Sequence, residues 1–300
     1  MAQYYEKPTL DNMGLSLGKK VRLHRLLYGN GLKNGRMMVL PIDQGLEHGP
    51  VDFFANPESK FVEFQFALAK EGGYSAIALH YGLAAKYLDK WAGEVPLILK
   101  INGKTAIPSD AEAFSPLTAT VEDAVRLGAD AVGYTLFVGS PAQGEDIAQL
   151  MEVRAECDSF GMPLIVWAYP RGEAIDKKGG RDGFYAVDYA ARVAVEMGAD
   201  VVKVNFPKIN PAKDAQAPAP YNTLQISADD AFKQVVQSAG RTMVLVSGGS
   251  KMSDEDLMAK VQSSLAAGAT GLIFGRNMWQ RGMDEALKLT SQIRELMLKG

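Results

Sequence analysis

A chain of 300 residues suits one large α/β barrel or two small domains, and length by itself leaves both open. Hydrophobic residues make up 47% and charged ones 22%, enough apolar material for a sizeable core, and a formal net charge of −3 argues against a nucleic-acid binder held by electrostatics. Cys157 is the only cysteine, so an intrachain disulfide is excluded, and no apolar run approaches the roughly 18 residues that span a bilayer. With a first segment, MAQYYEKPTL, that lacks an apolar signal core, the expectation is a cytoplasmic protein away from membranes.

Residues 1–35 read as an N-terminal helical extension, in which LGKKVRLHRLLYG (17–29) supplies a helix that closes the bottom of the fold or meets another subunit. Eight short apolar runs then follow as strands: MMVLPI (37–42), SAIALH (75–80), PLILKI (96–101), DAVGYTLF (130–137), MPLIVWAY (162–169), DVVKVNF (200–206), TMVLVS (242–247) and TGLIFG (270–275). Segments with helical spacing lie between and after them, at 59–72, 121–128, 144–161, 184–198, 228–240, 253–268 and 284–298. LGADAVGY, MGADVVKV and AGATGLIF repeat one helix–Gly–strand joint, the mark of a repeated βα unit. Strands alternating with helices in this way predict a parallel sheet closed into a (β/α)8 TIM barrel, with 1–300 as one domain. An open doubly wound sheet is the competitor, but no G-x-G-x-x-G follows the first strand. The long stretches 101–116 and 206–223 read as βα loops, the kind that usually carry function.

Barrel enzymes place their chemistry at the C-terminal strand ends. Lys203 stands inside an apolar run, where lysine is rarely buried without a purpose. Alternation turns it inward with Val201 and Asn205, leaving Val202, Val204 and Phe206 for the helices. Trp167 and Tyr169 share one face of the fifth strand, as do Val39, Pro41 and Asp43 on the first. A desolvated lysine is partly the neutral amine at pH 7, able to attack a ketone and form a Schiff base, with a phenol and a carboxylate to move protons. The plainer alternative is a structural ion pair between Lys203 and Asp43. Lys100 is the rival nucleophile, or the partner of a carboxylate, or a cation that tunes Lys203 or touches a phosphate or hydroxyl.

Ser247, Gly248 and Gly249 after the seventh strand, with Gly275 and Arg276 after the eighth, form two glycine-bearing turns where barrels often bind phosphate. The histidines His24, His48 and His80 are too scattered for a zinc site, and IDQGLEHGP is only a loose metal half-site. No metal and no cofactor are expected. As a core or turn histidine His48 needs no ligand role; near a phosphate or a substrate hydroxyl it would still be useful.

Five motifs in register with these strands, LPIDQGLEHGP, VWAYPRG, ADVVKVNFP, VSGGSK and IFGRNMWQ, resemble the archaeal-type class I fructose-1,6-bisphosphate aldolases, the DhnA-like family, over residues 35 to 280. The resemblance implies a Schiff base on Lys203, with Tyr169 as general acid/base for the C4 hydroxyl and the carbon acid. It implies that Asp43 orients and activates Lys203 and the carbinolamine, and that Trp167 and Arg171 line the site. Ser247, Gly248, Gly249, Gly275 and Arg276 would hold the phosphate of the ketone half, and His48 would reach the other end of the substrate. The implied reaction is the reversible cleavage of fructose 1,6-bisphosphate, with sugar phosphates as partners and a ring-based homo-oligomer such as a decamer as the assembly. Related barrels of the family keep the same Asp, YPRG and Lys positions on other phosphorylated ketones or for thiolase-like acyl transfer, which is the alternative reading.

Overall fold

A computed structural model describes residues 4–299; residues 1–3 of the predicted extension and Gly300 lie outside the described residues. Eight parallel strands close into a barrel in chain order. They are β1 (Met37–Pro41), β2 (Ala76–His80), β3 (Leu97–Lys100), β4 (Ala131–Val138), β5 (Leu164–Pro170), β6 (Val201–Val204), β7 (Met243–Ser247) and β8 (Gly271–Ile273). Each lies within a residue or two of its predicted run. The open-sheet competitor is ruled out at the seam, where β8 pairs with β1 through Met37 and Gly271. A Cβ on Gly271 would meet the Met37 carbonyl oxygen at 2.0 Å, so only glycine lets the seam close.

The helices in chain order are α1 (Leu17–His24), α2 (Gln44–Glu47), α3 (Val62–Glu71), α4 (Tyr81–Tyr87), α5 (Val121–Arg126), α6 (Gln143–Phe160) and α7 (Glu173–Asp176). They continue with α8 (Phe184–Glu196), α9 (Pro211–Asp214), α10 (Ala228–Ser238), α11 (Asp254–Ala266), α12 (Arg276–Trp279) and α13 (Met283–Lys299). The sequence pattern lacks α4 because only Ala84 of that helix is buried, leaving no apolar stripe to read. The short helices α2, α7, α9 and α12 are single turns after strand ends, below the length at which periodicity shows. None of the described helices is long and apolar enough to cross a membrane.

Strand alternation sorts the core into two layers, as both faces of a barrel strand are buried. Met38, Leu40, Val202, Val204 and Val246 face the helices in one cluster. Met37, Val39, Ile98, Ile165, Trp167 and Val201 fill the interior in another. Leu23, Leu26 and Leu27 join that inner cluster from below. The predicted 17–29 helix therefore plugs the barrel bottom, each buried leucine contributing about 1.5–3 kcal/mol. Helix α1 is capped by Ser16, whose hydroxyl accepts from the Lys19 N–H, and it is latched by ion pairs. Lys19 reaches Asp158 at 2.8 Å and Asp200 at 2.9 Å, and Arg25 reaches Asp130 at 2.5 Å. Asp130 and Asp200 are the aspartates of the repeated GAD joints, so that echo also supplies the anchoring points of the plug. With the bottom closed, the strand ends at the top are the open face.

Candidate active site

A cavity of about 620 Å³ opens at the C-terminal strand ends, and Lys203, Asp43, Tyr169, Ser247 and Gly275 are all on its wall. Lys203 is inward on β6, directly across from Trp167 of β5, and is 4% exposed. Its Nζ lies 4.9 Å from the centre of the Trp167 ring and 5.4 Å from that of Tyr169. Burial pushes the Lys203 amine down, Asp43 and Glu47 pull it partly back, and Arg276 adds to the depression. The net result is a lowered pKa, which puts a larger neutral fraction of amine within reach of neutral pH.

Asp43 ends the segment after β1 and is 1% exposed, with no hydrogen-bond partner on either carboxylate oxygen. Burial pushes its carboxyl up, but the Lys203 and Lys100 ammonium groups outweigh that and hold it below the usual range. Tyr169 follows the opposite course. Burial, then the charges of Glu47 and Asp43, push its phenol well above its ordinary value, so it carries its proton. The Arg171 guanidinium stacks on the Tyr169 and Phe137 rings at 5.4 and 5.6 Å.

The turns after β7 and β8 interlock. Asn277, fully buried, accepts from the Met252 N–H at 3.0 Å and donates to the Gly248 and Ser250 carbonyls, both at 3.3 Å. Ser247 Oγ donates to Asn205 Oδ1 at 2.5 Å. At Gly275 an added Cβ would meet the Pro41 carbonyl oxygen at 2.9 Å and the Trp279 Nε1 at 3.0 Å. Glycine is thus what lets the β8 turn lie against the end of β1, where Trp279 Nε1 donates to Pro41 O at 3.1 Å. Arg276 lies on the cavity wall, 3.8 Å from Asp52, which also holds His48 Nδ1 at 2.6 Å.

Two of the sequence-predicted residues are not on the wall. Trp167 is fully buried under it, with no partner on its indole Nε1. Lys100 is fully buried as well; its Nζ donates to the Asn102 carbonyl at 2.6 Å and reaches Glu47 Oε1 at 3.4 Å. His48, Arg171, Gly248, Gly249 and Arg276 do line the cavity.

The wall also holds residues that sequence reasoning passed over: Glu47, Lys104, Asp110, Arg181, Lys208 and Lys260. Asp110 gathers Lys104 at 3.0 Å, Arg181 at 3.1 Å and Arg171 at 3.3 Å, and Asp182 takes Lys208 at 2.9 Å. Lys260 projects from α11 toward the Gly248 carbonyl at 3.4 Å, and burial pushes its amine down to about 8. For Glu47 a signal existed, because it lies four residues after Asp43 and so one helical turn away. The others lie in loops or on the polar side of a helix, where no periodicity marks them. Cations therefore come from both arcs of the mouth, from the β3, β5 and β6 loops on one side and from the β7 and β8 loops on the other. Among the described residues no group of three or more His, Cys, Asp or Glu is arranged to hold a metal ion.

Residues 37–281 match the DeoC/LacD family aldolase profile, a span that takes in all eight strands. The chain belongs to this aldolase family. The class 1 fructose-bisphosphate aldolase of Thermoproteus tenax is 38% identical over 269 residues, 89% of this chain and 92% of that protein. Its counterpart in Halobacterium salinarum is 36% identical over 249 residues, 83% of this chain and 86% of that protein. An archaeal fructose-1,6-bisphosphate aldolase, solved with its catalytic Lys covalently bound to the carbinolamine intermediate, superposes with a TM-score of 0.78 at 36% identity. That match covers 92% of this chain and 99% of the other. A fructose-bisphosphate aldolase from Slackia heliotrinireducens superposes at 0.83 with 26% identity, covering 98% of this chain and 92% of its own. The family likeness read from the five sequence motifs agrees with these relatives.

Proposed function

We propose that this chain is a class I aldolase that cleaves fructose 1,6-bisphosphate reversibly to dihydroxyacetone phosphate and glyceraldehyde 3-phosphate through a Schiff base on Lys203. The observation that carries the reading is the desolvated Lys203 amine against the Trp167 and Tyr169 rings on the wall of a cavity whose mouth bears cations on both arcs. A neutral amine is a nucleophile, and cations on two sides suit an open-chain sugar with a phosphate at each end.

The residues divide the work as follows. Lys203 Nζ attacks the C2 ketone, giving a carbinolamine that loses water to an iminium. The iminium draws electrons from the C3–C4 bond, which breaks as the C4 hydroxyl gives up its proton; C4 leaves as the aldehyde and the ketone half stays as an enamine. A proton delivered to C3 returns the iminium, and water releases the second product and regenerates the amine. Tyr169, which holds its proton in the resting site, gives it to the departing carbinolamine hydroxyl; the phenolate then takes the C4 hydroxyl proton, passes it to C3, and is reprotonated when water adds back to the iminium. Asp43, ionised and unpaired, faces the cationic nitrogen of the iminium. Gly248, Gly249 and Ser247 with Gly275 and Arg276 hold the phosphate of the ketone half. Arg171, Lys104 and Arg181 suit the second phosphate, and His48 either end of the substrate. Lys100 and Trp167 act from beneath, by charge and by walling off water.

The same reading makes the protein a cytoplasmic enzyme of glycolysis and gluconeogenesis that needs no metal. It also makes it a homo-oligomer, for which the exposed Val51, Phe54 and Phe61 between β1 and α3 offer apolar surface. The test is borohydride trapping with fructose bisphosphate in EDTA, followed by peptide mass spectrometry. A reduced adduct on Lys203, absent from Lys203→Met along with all cleavage, is the expected result. An adduct on Lys100 would overturn the assignment of the nucleophile. An adduct on Lys203 without cleavage would favour another phosphorylated ketone, and no adduct at all would end the Schiff-base reading.

A further inference from the structure

Lys260 is a cation that folding does not account for. It projects from α11 onto the cavity wall, and its one hydrogen bond among the described residues is long, from Nζ to the Gly248 carbonyl at 3.4 Å. Its neighbours at the mouth are matched: Lys104, Arg171 and Arg181 share Asp110, and Lys208 takes Asp182 at 2.9 Å. The charged groups that bear on the Lys260 ammonium are Asp182, already engaged by Lys208 and by the Asn205 amide at 3.0 Å, and Lys208 itself. On α11, one turn back, Asp256 is exposed and takes the Ser253 hydroxyl at 2.7 Å. Burial outweighs Asp182 and pushes the Lys260 amine down to about 8. A desolvated ammonium without a counter-ion of its own costs stability. It is matched when an anion enters the cavity.

The group that Lys260 holds is the peptide between Gly248 and Gly249. Asn277, fully buried, donates to the same carbonyl at 3.3 Å. In a trans peptide the C=O and the N–H point opposite ways. The Gly249 N–H is therefore turned away from buried Asn277, and it has no acceptor among the described residues. Gly249 stands at φ +73°, yet an added Cβ there would meet nothing within 4 Å. Glycine is needed for the backbone conformation and not for space, as in a turn shaped to present an N–H to an anion.

We propose that Lys260 is a positioning residue for the phosphate of the ketone half. Its ammonium fixes the Gly248–Gly249 peptide with the N–H toward the anion, polarises that peptide by drawing on its carbonyl, and places a positive charge behind the turn. The inference deepens the aldolase reading and rests on it. Lys260 makes and breaks no bond, so its contribution is to binding at one end of the substrate. Asn277 keeps hold of the carbonyl when Lys260 is replaced, so the turn survives and the charge can be tested by itself.

The test is the initial rate of aldol condensation from pH 7 to 9.5 in wild type, Lys260→Met and Lys260→Arg, with melting curves to check the fold. It gives separate KM values for dihydroxyacetone phosphate and glyceraldehyde 3-phosphate. At pH 7, Lys260→Met should raise KM for dihydroxyacetone phosphate about tenfold, leaving kcat and the other KM within about twofold of wild type. Lys260→Arg should restore most of the loss. Phosphate monoesters stay dianionic across this range, their second pKa being about 6, so pH acts through the enzyme. In wild type, KM for dihydroxyacetone phosphate should climb above pH 8 as Lys260 gives up its proton. The climb should be absent from Lys260→Arg, which stays charged, and from Lys260→Met, which starts high. Titration of Lys203 is common to all three proteins and drops out of the comparison. A KM for dihydroxyacetone phosphate that stays near wild type in Lys260→Met, an equal rise for both triose phosphates, or no recovery with arginine would overturn the role. If wild type condenses nothing, the aldolase reading falls and takes this inference with it. That failure is distinguishable, because it shows before any variant is compared.

Discussion

Replacing Lys100 with methionine separates charge from volume at the base of the site. Lys100 is fully buried, and methionine fills nearly the same space, so packing is largely kept. What is lost is one cation between two carboxyls. At the 3.4 Å separation from Glu47 Oε1, two unit charges at an effective dielectric of about 20 attract by about 5 kcal/mol. Glu47 opens to the cavity and its side chain is 21% exposed, which reduces the net loss to about 2–3 kcal/mol. The loss depends on pH, because Glu47 can escape it by taking up a proton. Without Lys100 the Glu47 carboxyl, already raised by burial and by Asp43, rises further, and Asp43 loses part of what holds it down. A carboxyl whose folded pKa exceeds its unfolded value loses stability as pH climbs from the unfolded value through the folded one. Lys100→Met should therefore cost about 2–3 kcal/mol near pH 8 but under about 1 kcal/mol near pH 5, a melting point lower by about 4–6 °C at the higher pH. Thermal unfolding followed by circular dichroism across that range measures it, and adding Glu47→Gln should remove most of the pH dependence. A cost equal at pH 5 and pH 8, or additive with Glu47→Gln, would refute the electrostatic account of this pair.

Three other outcomes follow from the geometry. Gly275→Ala forces a Cβ against the Pro41 carbonyl oxygen at 2.9 Å, and backbone cannot swing away. It should destabilise by about 1–3 kcal/mol in urea unfolding and raise KM for the sugar bisphosphate more than it lowers kcat. The His80 imidazole is pushed down to about 4 by burial and then by Lys100, so it folds neutral. The stability it confers is whole above its unfolded value near 6.5 and is lost as pH falls toward 4. His80→Gln should flatten that acid limb, worth up to about 3 kcal/mol. Asp110→Asn releases the guanidinium and ammonium groups of Arg171, Arg181 and Lys104 from their shared carboxylate. Initial rates should show a KM for the bisphosphate raised several-fold, since the loop cations lose the anchor that positions them. An unchanged KM would remove that cluster from the second phosphate.

Much of this molecule is legible in its sequence. The strands are near-continuous β-branched and aliphatic runs, because a barrel strand is buried on both faces, and the helices between them carry stripes wherever they pack on the barrel. The period of two along a strand also turns Lys203 inward with Val201 and leaves Val202 and Val204 to the helices, so the facing of these side chains is legible in VVKV alone. Helix α4 escaped because its exposed surface carries no stripe, and the single-turn helices because one turn has no period.

The sequence by itself determined the barrel, its inward lysine and the glycine turns at its mouth, since each follows from local spacing and local sterics. Tertiary structure alone decided which charges share a space. Lys100 and Lys203 stand on strands of the same character, yet one is sealed under Glu47 with its ammonium on the Asn102 carbonyl and the other lies on the cavity wall. That difference comes from strand register around the barrel and from where α2 turns back over the mouth. Both are long-range matters of closure and packing, which no window along the chain contains.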